Sequence, residues 1–509
     1  MSHAQEKNAV KRHPGLMVLI GVVFAAVAAM LAAPVKPVIL WTDALIYLLI
    51  TTLVLFFTYV RSKEHLRAPW RQVMQRPLAM VALIVLSVYV LVGVLDSIHF
   101  RKALPAPKTS VQNTLTETHY SVEVLSVLDV LFGPIREQVE KSYSAPLAVQ
   151  LFTKDMVEQA DGSTLRMYPR LEYGGRHLDD PASQHQTDIM QRIVHAAVQA
   201  IVLWLLILVL WVATLSWKYK TGFGLLLRQI LAGKTLLPWR SVFITLGVFV
   251  FLAMLIVELG VAYHLLGTDK VGNDVLYLSI KSIRTGLVIG TLTTLIMLPF
   301  AVLLGIMAGH FRGWIDDAIQ YIYTTLNSIP GVLLIAAAIL SVDLYISNNQ
   351  EFFETVVERA DVRLLFLCII LGITSWTGLC RLLRGETLKL RELDYIQAAT
   401  AFGASNTKII SRHILPNVMH IVLIAVVLDF SGLVLAEAVL SYVGVGVDPS
   451  MASWGNMINS ARLEMAREPV VWWSLLAAFW FMFLLVLAAN IFADAVRDAF
   501  DPRVGRGIA

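Results

Sequence analysis

Charge is what this sequence has least of. Only 15% of its 509 residues are Asp, Glu, Lys or Arg, against 57% hydrophobic, and mean hydropathy is +0.68. Soluble domains carry about 25% charged residues, so the composition argues against a soluble globular chain. Cysteine is almost absent. Cys368 and Cys380 fall in one apolar segment and at its end, which argues against a disulfide framework or a thiolate metal site. The net charge of +4 is modest and does not point to nucleic acid. No Ser/His/Asp set and no carboxylate pair suggests catalysis. Gly233-Lys234-Thr235 resembles the end of a phosphate loop, but that pattern needs a glycine where Arg228 stands, and no strand precedes it. These residues read instead as part of a basic loop. His99, His119, His177 and His185, with Asp179 and Asp180, lack the tight spacing of metal ligands and read as surface residues. No metal or cofactor is expected in this chain.

What is present is long apolar runs. At 1.5 Å per residue, ten are long enough to cross a bilayer, with tilt. They are Leu16–Ala33, Val38–Val60, Leu78–Leu95, Ile193–Leu215, Val242–Tyr263, Leu287–Ala308, Ile319–Leu340, Leu364–Leu379, Val418–Val439 and Val470–Ala489. Lys7, Lys11 and Arg12 precede the first run, which reads as a retained signal anchor, with cleavage near Ala32-Ala33 as the alternative. Arg61–Arg76 holds five basic residues against Glu64, and Ser216–Arg240 holds five against no acid. By the positive-inside rule both loops are cytoplasmic, which puts both termini inside.

Arg101–Gln191 is then an outer insert the size of a small domain. It reads as mixed α/β. Val122–Phe132 is helical or extended, and Leu147–Phe152 and Leu165–Tyr173 are strands around an Asp161-Gly162 turn. Tyr143, Phe152, Tyr168 and Tyr173 are its candidate core. It is either a spacer over the bundle's mouth or a contact for a partner.

One polar island, Glu392–Asn417, lies between apolar runs on the predicted cytoplasmic side. Leu393–Phe402 suits a helix through Ala398, Ala399 and Ala401, and Gly403 suits a left-handed cap. Ser405 or Asn406 then N-caps a second short helix carrying Lys408 and Arg412, which stops before Pro416. Gln397-Ala398-Ala399, Gly403 and Leu415-Pro416 resemble the EAA loop of ABC-importer permeases, with Gln397 in place of the usual Glu. The resemblance extends to Leu266-Gly267-Thr268-Asp269, Gly272-Asn273-Asp274 (Asn273 where Arg is usual) and Gly309–Asp316. It also takes in Arg412–Asn417, Leu435–Ala438, Leu440–Val447, Pro449, Ser453–Met457, Asn490, Asp494, Arg497-Asp498 and Asp501–Arg503. It covers about 263–503 and is a resemblance to the C-type subunits of dipeptide and oligopeptide transporters, whose relatives also carry nickel or opines. Arg76-Pro77-Leu78-Ala79 resembles the start of that family's first span. The expectation is that Val242–Tyr263 takes the first-span position after an insertion.

The resemblance implies an all-α polytopic membrane protein with the type I ABC-importer transmembrane fold. Extra N-terminal helices occupy 1–100, a periplasmic insert 101–191, and a returning helix with a basic loop 192–240. The permease core occupies 241–509, with its coupling loop at 384–417. It implies a non-catalytic subunit of the bacterial inner membrane. Its partners would be a B-type permease subunit, two cytoplasmic ATPases that bind ATP and Mg, and a periplasmic solute-binding protein. Tyr395, Gln397, Ala398, Ala399, Gly403, Leu415 and Pro416 would form the ATPase-coupling surface. Independently of family, Asp429 is a mid-span carboxylate expected to face the bundle interior as a pathway group or to pair with another helix. Glu258 and Glu437 read as interfacial, and Trp454 suits the outer interface. Gly444, Gly446 and Pro449 allow a tight loop path. The alternatives are a membrane sensor or scaffold, or a secondary transporter driven through Asp429; no inverted repeat supports the latter.

Overall fold

The computed structural model describes residues 35–62, 64–104, 119–158 and 164–500. The expected span Leu16–Ala33 and the Asp161-Gly162 turn lie outside them. Strand β1 (Val35–Val38) leads into helices α1 (Trp41–Ser62), α2 (Glu64–Gln75) and α3 (Pro77–Asp96). The insert holds β2 (His99–Lys102), β3 (Leu125–Ser126), α4 (Val127–Leu131), α5 (Gly133–Arg136), β4 (Asp155–Glu158) and β5 (Thr164–Met167). A helical pair follows, α6 (Pro181–Tyr219) and α8 (Trp239–Gly260), joined through α7 (Phe223–Leu231). The remaining helices are α9 (Val275–Phe311), α10 (Trp314–Ser328), α11 (Gly331–Asn348), α12 (Val356–Ser375), α13 (Thr377–Arg391), α14 (Asp394–Ala401), α15 (Asn406–Ile409), α16 (Leu415–Val443), α17 (Trp454–Glu464) and α18 (Trp473–Phe500).

Among the described residues, eight helical stretches are long and apolar enough to cross a membrane. They are α3, α6, α8, α9, α11, α12 with α13, α15 with α16, and α18. In α1 the apolar part is shorter, Trp41–Phe56. The expected span Ile319–Leu340 is broken. Pro330 lacks an N–H and forces Ile329 into extended backbone (φ −88°, ψ 128°), so α10 ends there and α11 starts anew.

Helix α9 is the axis of the bundle. It spans about 55 Å at 1.5 Å per residue and packs against α3, α12, α13, α16 and α18. Its small residues set the spacing. A Cβ on Gly305 would lie 2.8 Å from the Cys380 carbonyl, and one on Gly309 2.6 Å from Thr387 Cβ, so α9 and α13 nearly touch backbone to backbone.

The first-span position is taken by α3, not by Val242–Tyr263. Gly93 lets α3 approach Leu287 of α9, and Tyr89 Oη donates to the Phe481 carbonyl of α18 at 2.8 Å. Helix α8 packs chiefly on α6, where Trp204 Nε1 donates to the Phe243 carbonyl at 2.8 Å. The Arg76–Ala79 signal is thus the true start of the first packed span, and α6–α8 is an added hairpin. Helix α1 is fastened to the core by a buried polar cluster. Arg284 Nη2 lies 2.6 Å from Asp43 Oδ1 and 3.6 Å from Asp361 Oδ1, and donates to Thr42 Oγ1 at 2.9 Å. His99 Nδ1 lies 2.8 Å from the other Asp43 oxygen.

The insert has less regular structure than expected. β1, β2 and β3 form an antiparallel sheet, and β4 and β5 a hairpin. Leu147–Phe152 makes isolated bridges only, because Pro146 has no N–H and Leu147 is left-handed (φ +57°). The second strand stops at Met167, before Pro169. Val122–Phe132 divides into β3 and α4, where Ser126 and Asp129 form a capping box. Nor do its aromatics make a separate core. Tyr143 and Phe152 join the cluster around Trp454 and Trp473, while Tyr168 is exposed. So small a module buries too little surface alone and uses the bundle.

Candidate functional site

The polar island folds as a short helical hook. Leu393 is extended, Asp394 sits in the first turn where a negative charge favours the helix dipole, and α14 runs to Ala401. The end is a Schellman turn. Gly403 N donates to the Thr400 carbonyl and Ala404 N to the Ala399 carbonyl, both at 3.0 Å, with Gly403 at φ +77°. Ile396 alone of α14 is fully buried, packed with Leu383, Ile409, Ile414 and Val418. Tyr395, Gln397 and Ala398 are exposed, Ala399 is half-buried, and Phe402 is 91% exposed at the tip. Among the described residues, nothing covers that apolar ring.

The second half differs from expectation. Ser405 occupies the N-cap position of α15, but its hydroxyl makes no capping bond. The helix does not stop before Pro416. It passes through a π turn, Ile410–Ile414, into α16 and runs unbroken from Asn406 to Val443. A proline ring clashes with the carbonyl four residues back, and the wider turn relieves that clash. The Asn417 side chain compensates, donating to the His413 carbonyl at 2.6 Å and to Tyr395 Oη at 3.1 Å. Leu415 is half-buried and Pro416 exposed at this joint.

Several residues that tie the hook to the bundle were not singled out from sequence. His310 Nε2 lies 3.2 Å from Asn406 Oδ1, Arg391 donates to the His310 carbonyl at 2.6 Å, and Arg312 meets Glu392 at 2.5 Å. Arg384 makes a two-pronged contact with Asp316, at 2.6 and 2.8 Å. That hydrogen bonding holds the Asp316 carboxyl below the usual range. The only sequence signal was the Gly309–Asp316 stretch.

At the opposite end of α9, Leu266–Val275 is welded to the insert. Thr268 Oγ1 donates to the Ser142 carbonyl at 2.8 Å and Trp473 Nε1 to the Thr268 carbonyl at 2.9 Å. Gly272 (φ +86°) lies against the Glu140 backbone, with no room for a Cβ. Buried His264 sits 2.8 Å from Asp274 and 3.4 Å from Glu140. Burial lowers the His264 pKa, but the hydrogen bond to Asp274 and the nearby Glu140 carboxylate outweigh it and push it up to about 9. Burial raises that of Glu140, yet His264 and the N–H groups of Glu172, Tyr173 and Gly174 push it down to about 2.

Asp429 does not face the interior of this chain. Phe430 and Val434 take that side, against Gly290. Asp429 is half-buried beside the exposed stripe Leu428, Gly432, Leu435, Val439 and Tyr442, and makes no hydrogen bond or ion pair among the described residues. Glu258, near the end of α8, accepts from Gln199 at 2.9 Å. Glu437 is buried, not interfacial, and accepts from Ser441 Oγ at 2.7 Å. Trp454 is likewise core, not interface. Gly286 makes room for its ring, and its indole N–H donates to the Ser279 carbonyl at 3.0 Å. Gly444 ends α16 at φ +88°, and Gly446 packs on Ser441. The insert histidines have protein partners: His177 lies beside Asp188 and His185 beside the Leu147 carbonyl.

Residues 301–506 match the family described as binding-protein-dependent transport system inner membrane component. The chain is 32% identical over 242 residues to a glutathione transport system permease protein of Pectobacterium atrosepticum, covering 47% of this chain and 73% of that one. The chain belongs to this permease family. It is also 31% identical over 241 residues to an oligopeptide transport system permease protein of Haemophilus influenzae (47% and 71% covered). To a dipeptide transport system permease protein of Bacillus subtilis it is 28% identical over 245 residues (48% and 70%). The permease is thus a multi-pass inner-membrane protein with the all-α fold of type I ABC importers. The hook at Glu392–Asn417 and the buried Trp454 both lie within the matched region.

Proposed function

We propose that this permease forms half of the translocation pathway of an ATP-driven importer for di- or oligopeptides. Its partners are a B-type permease subunit, two cytoplasmic ATPase subunits that bind ATP and Mg, and a periplasmic solute-binding protein. In this reading both termini are cytoplasmic, a placement supported by the basic loops Arg61–Arg76 and Ser216–Arg240. The observation that carries the reading is the hook: a capped helix anchored by Ile396 that leaves Tyr395, Gln397, Ala398 and Phe402 exposed. Peptide cargo is supported by the names of the relatives.

In this reading the ATPases grip α14. Closure on ATP displaces α14 and its buried anchor, and the bundle rocks between inward-open and outward-open states. ATP does work only because the two states bind it and the cargo differently. Leu415 and Pro416 form the joint through which the displacement enters α16. Asp429 lines the pathway at the seam the second permease closes, where an unpaired carboxylate can hold a cationic group or hydrogen-bond donor of the cargo.

The test is to purify the permease with its encoded neighbours and measure ATP-driven peptide uptake in proteoliposomes. An ATPase should co-purify, and Ala399→Trp should release it. A stable permease with no ATPase attached, or one whose ATPase survives that substitution, overturns the proposal.

A further inference from the structure

The α6–α8 hairpin lies outside the family match, and its turn is built unlike the rest of the chain. Ser216–Arg240 contains Lys218, Lys220, Arg228, Lys234 and Arg240 and no acidic residue, and all five cations are exposed. Lys220, Arg228, Lys234 and Arg240 make no ion pair among the described residues. Between the cations stand apolar side chains with nothing over them: Trp217 at 87% exposed, Leu225 at 58%, Leu231 at 63% and Leu236 at 75%.

Helix α7 organises this surface. Leu226 and Ile230 hold it to the hairpin, buried with Val212 and Phe243. Helical spacing puts Arg228 on the opposite side, flanked by Leu225 and Leu231. The Gly233-Lys234-Thr235 run closes α7 in a Schellman turn. Gly233 N donates to the Ile230 carbonyl and Lys234 N to the Gln229 carbonyl, both at 3.0 Å, with Gly233 at φ +67°. That turn presents Lys234 beside the helix end. Since α6 ends at Tyr219 and α8 begins at Trp239, both ends of the turn are held where apolar helices leave the bilayer.

We infer that 216–240 is a docking surface for anionic phospholipid headgroups of the leaflet it faces. The leucines and Trp217 sit at the acyl boundary, and the cations take the phosphates. No acid in the segment competes for those cations. Interleaved apolar anchors and unpaired cations on a short helix lying at the surface are what such a surface recognises. The hairpin is thereby fixed at its turn.

The experiment is hydrogen exchange of the full-length permease in nanodiscs of phosphatidylcholine with and without phosphatidylglycerol. Exchange across 223–236 should slow in the anionic discs by about fivefold per engaged cation, and the protection should fade as salt is raised. The triple variant Lys220→Gln, Arg228→Gln, Lys234→Gln should lose the difference, and its exposed positions leave the fold intact. Equal exchange in both lipids overturns the inference. So does protection that ignores salt, or that arises only when an ATPase subunit is added, which would make the segment a protein-docking surface.

Discussion

Gly403→Val perturbs the hook without touching its packing. A Cβ at Gly403 meets nothing within 4 Å, so no clash is created. The cost is in the backbone. Gly403 sits at φ +77°, and a left-handed conformation costs an ordinary L-residue about 1–2 kcal/mol, a β-branched one more. That is roughly a 5–30-fold rise in the fraction of molecules with the turn open. An open turn loses the bonds from Gly403 to Thr400 and from Ala404 to Ala399, a large loss for a helix of eight residues. Ile396 keeps the hook on the core, so yield and melting temperature should stay near those of the parent. In the proposed cycle, uptake per ATP hydrolysed should fall in proportion to the fraction of turns that stay closed. Asn tolerates the left-handed region, so Gly403→Asn should be nearly silent and Gly403→Ala intermediate. The assay is hydrolysis and peptide uptake measured side by side in proteoliposomes for all four residues. Normal uptake per ATP with valine refutes the reasoning, and so does an asparagine variant as impaired as the valine one.

Other consequences concern stability, read by thermal unfolding in detergent. Arg284→Met strands Asp43 and Asp361 in a buried site and should cost about 3–5 kcal/mol; combining it with Asp43→Asn and Asp361→Asn should recover much of the loss. If the triple variant is as unstable as the single, the charge argument fails. Trp454→Phe should cost on the order of 1–3 kcal/mol, since the Ser279 carbonyl loses its indole donor in a dry core; an unchanged melting temperature would contradict this. His264, raised to about 9 from its ordinary 6.5, stabilises the insert fully below about pH 6.5 and loses that contribution as pH climbs through 9. Glu140, lowered to about 2 from 4.5, contributes above about pH 4.5 and loses it as pH falls through 2. The insert should therefore be most stable between about pH 4.5 and 6.5. His264→Gln should flatten the alkaline limb, and an unaltered limb in that variant would count against the buried pair.

The apolar runs were legible because a long hydrophobic run specifies a helix almost whatever surrounds it. Ends and partners were not. Ile319–Leu340 reads as one span because hydropathy averages across Pro330, which structurally divides it. Trp454 and Glu437 read as interfacial because tryptophan and carboxylate usually are. Their burial depends on Gly286 opening a slot in α9 and on Ser441 supplying a donor, neither of which a linear pattern shows. In the hook, the cap at Gly403 follows from local chemistry and was readable. The π turn was not, since proline signals a stop unless the helix has room to widen. The place of α3 was misjudged for a related reason. Order along the chain favoured the last span before the core, while packing at Gly93 and Tyr89 selected the earlier one.

The geometry around the hook bears on how a pull on it would travel. Asn406–Val443 is one helical stretch, and Asp429 lies about 35 Å along it from Asn406 at 1.5 Å per residue. At the hook end, Ile396 and the Asn417–Tyr395 bond fasten α14 to that stretch, His310–Asn406 fastens the stretch to α9, and Arg391 fastens α13 to α9. Helices α9 and α13 are locked by backbone contact at Gly305 and Gly309 and cannot slide without steric cost. The compliant element is the π turn at Ile410–Ile414, where the hydrogen-bond ladder is already loosened and Pro416 prevents it from tightening. A displacement of α14 in the proposed cycle is therefore resisted by the α9–α13 pair and concentrated at that joint. This gives Leu415-Pro416 a mechanical reason to stand beside α14.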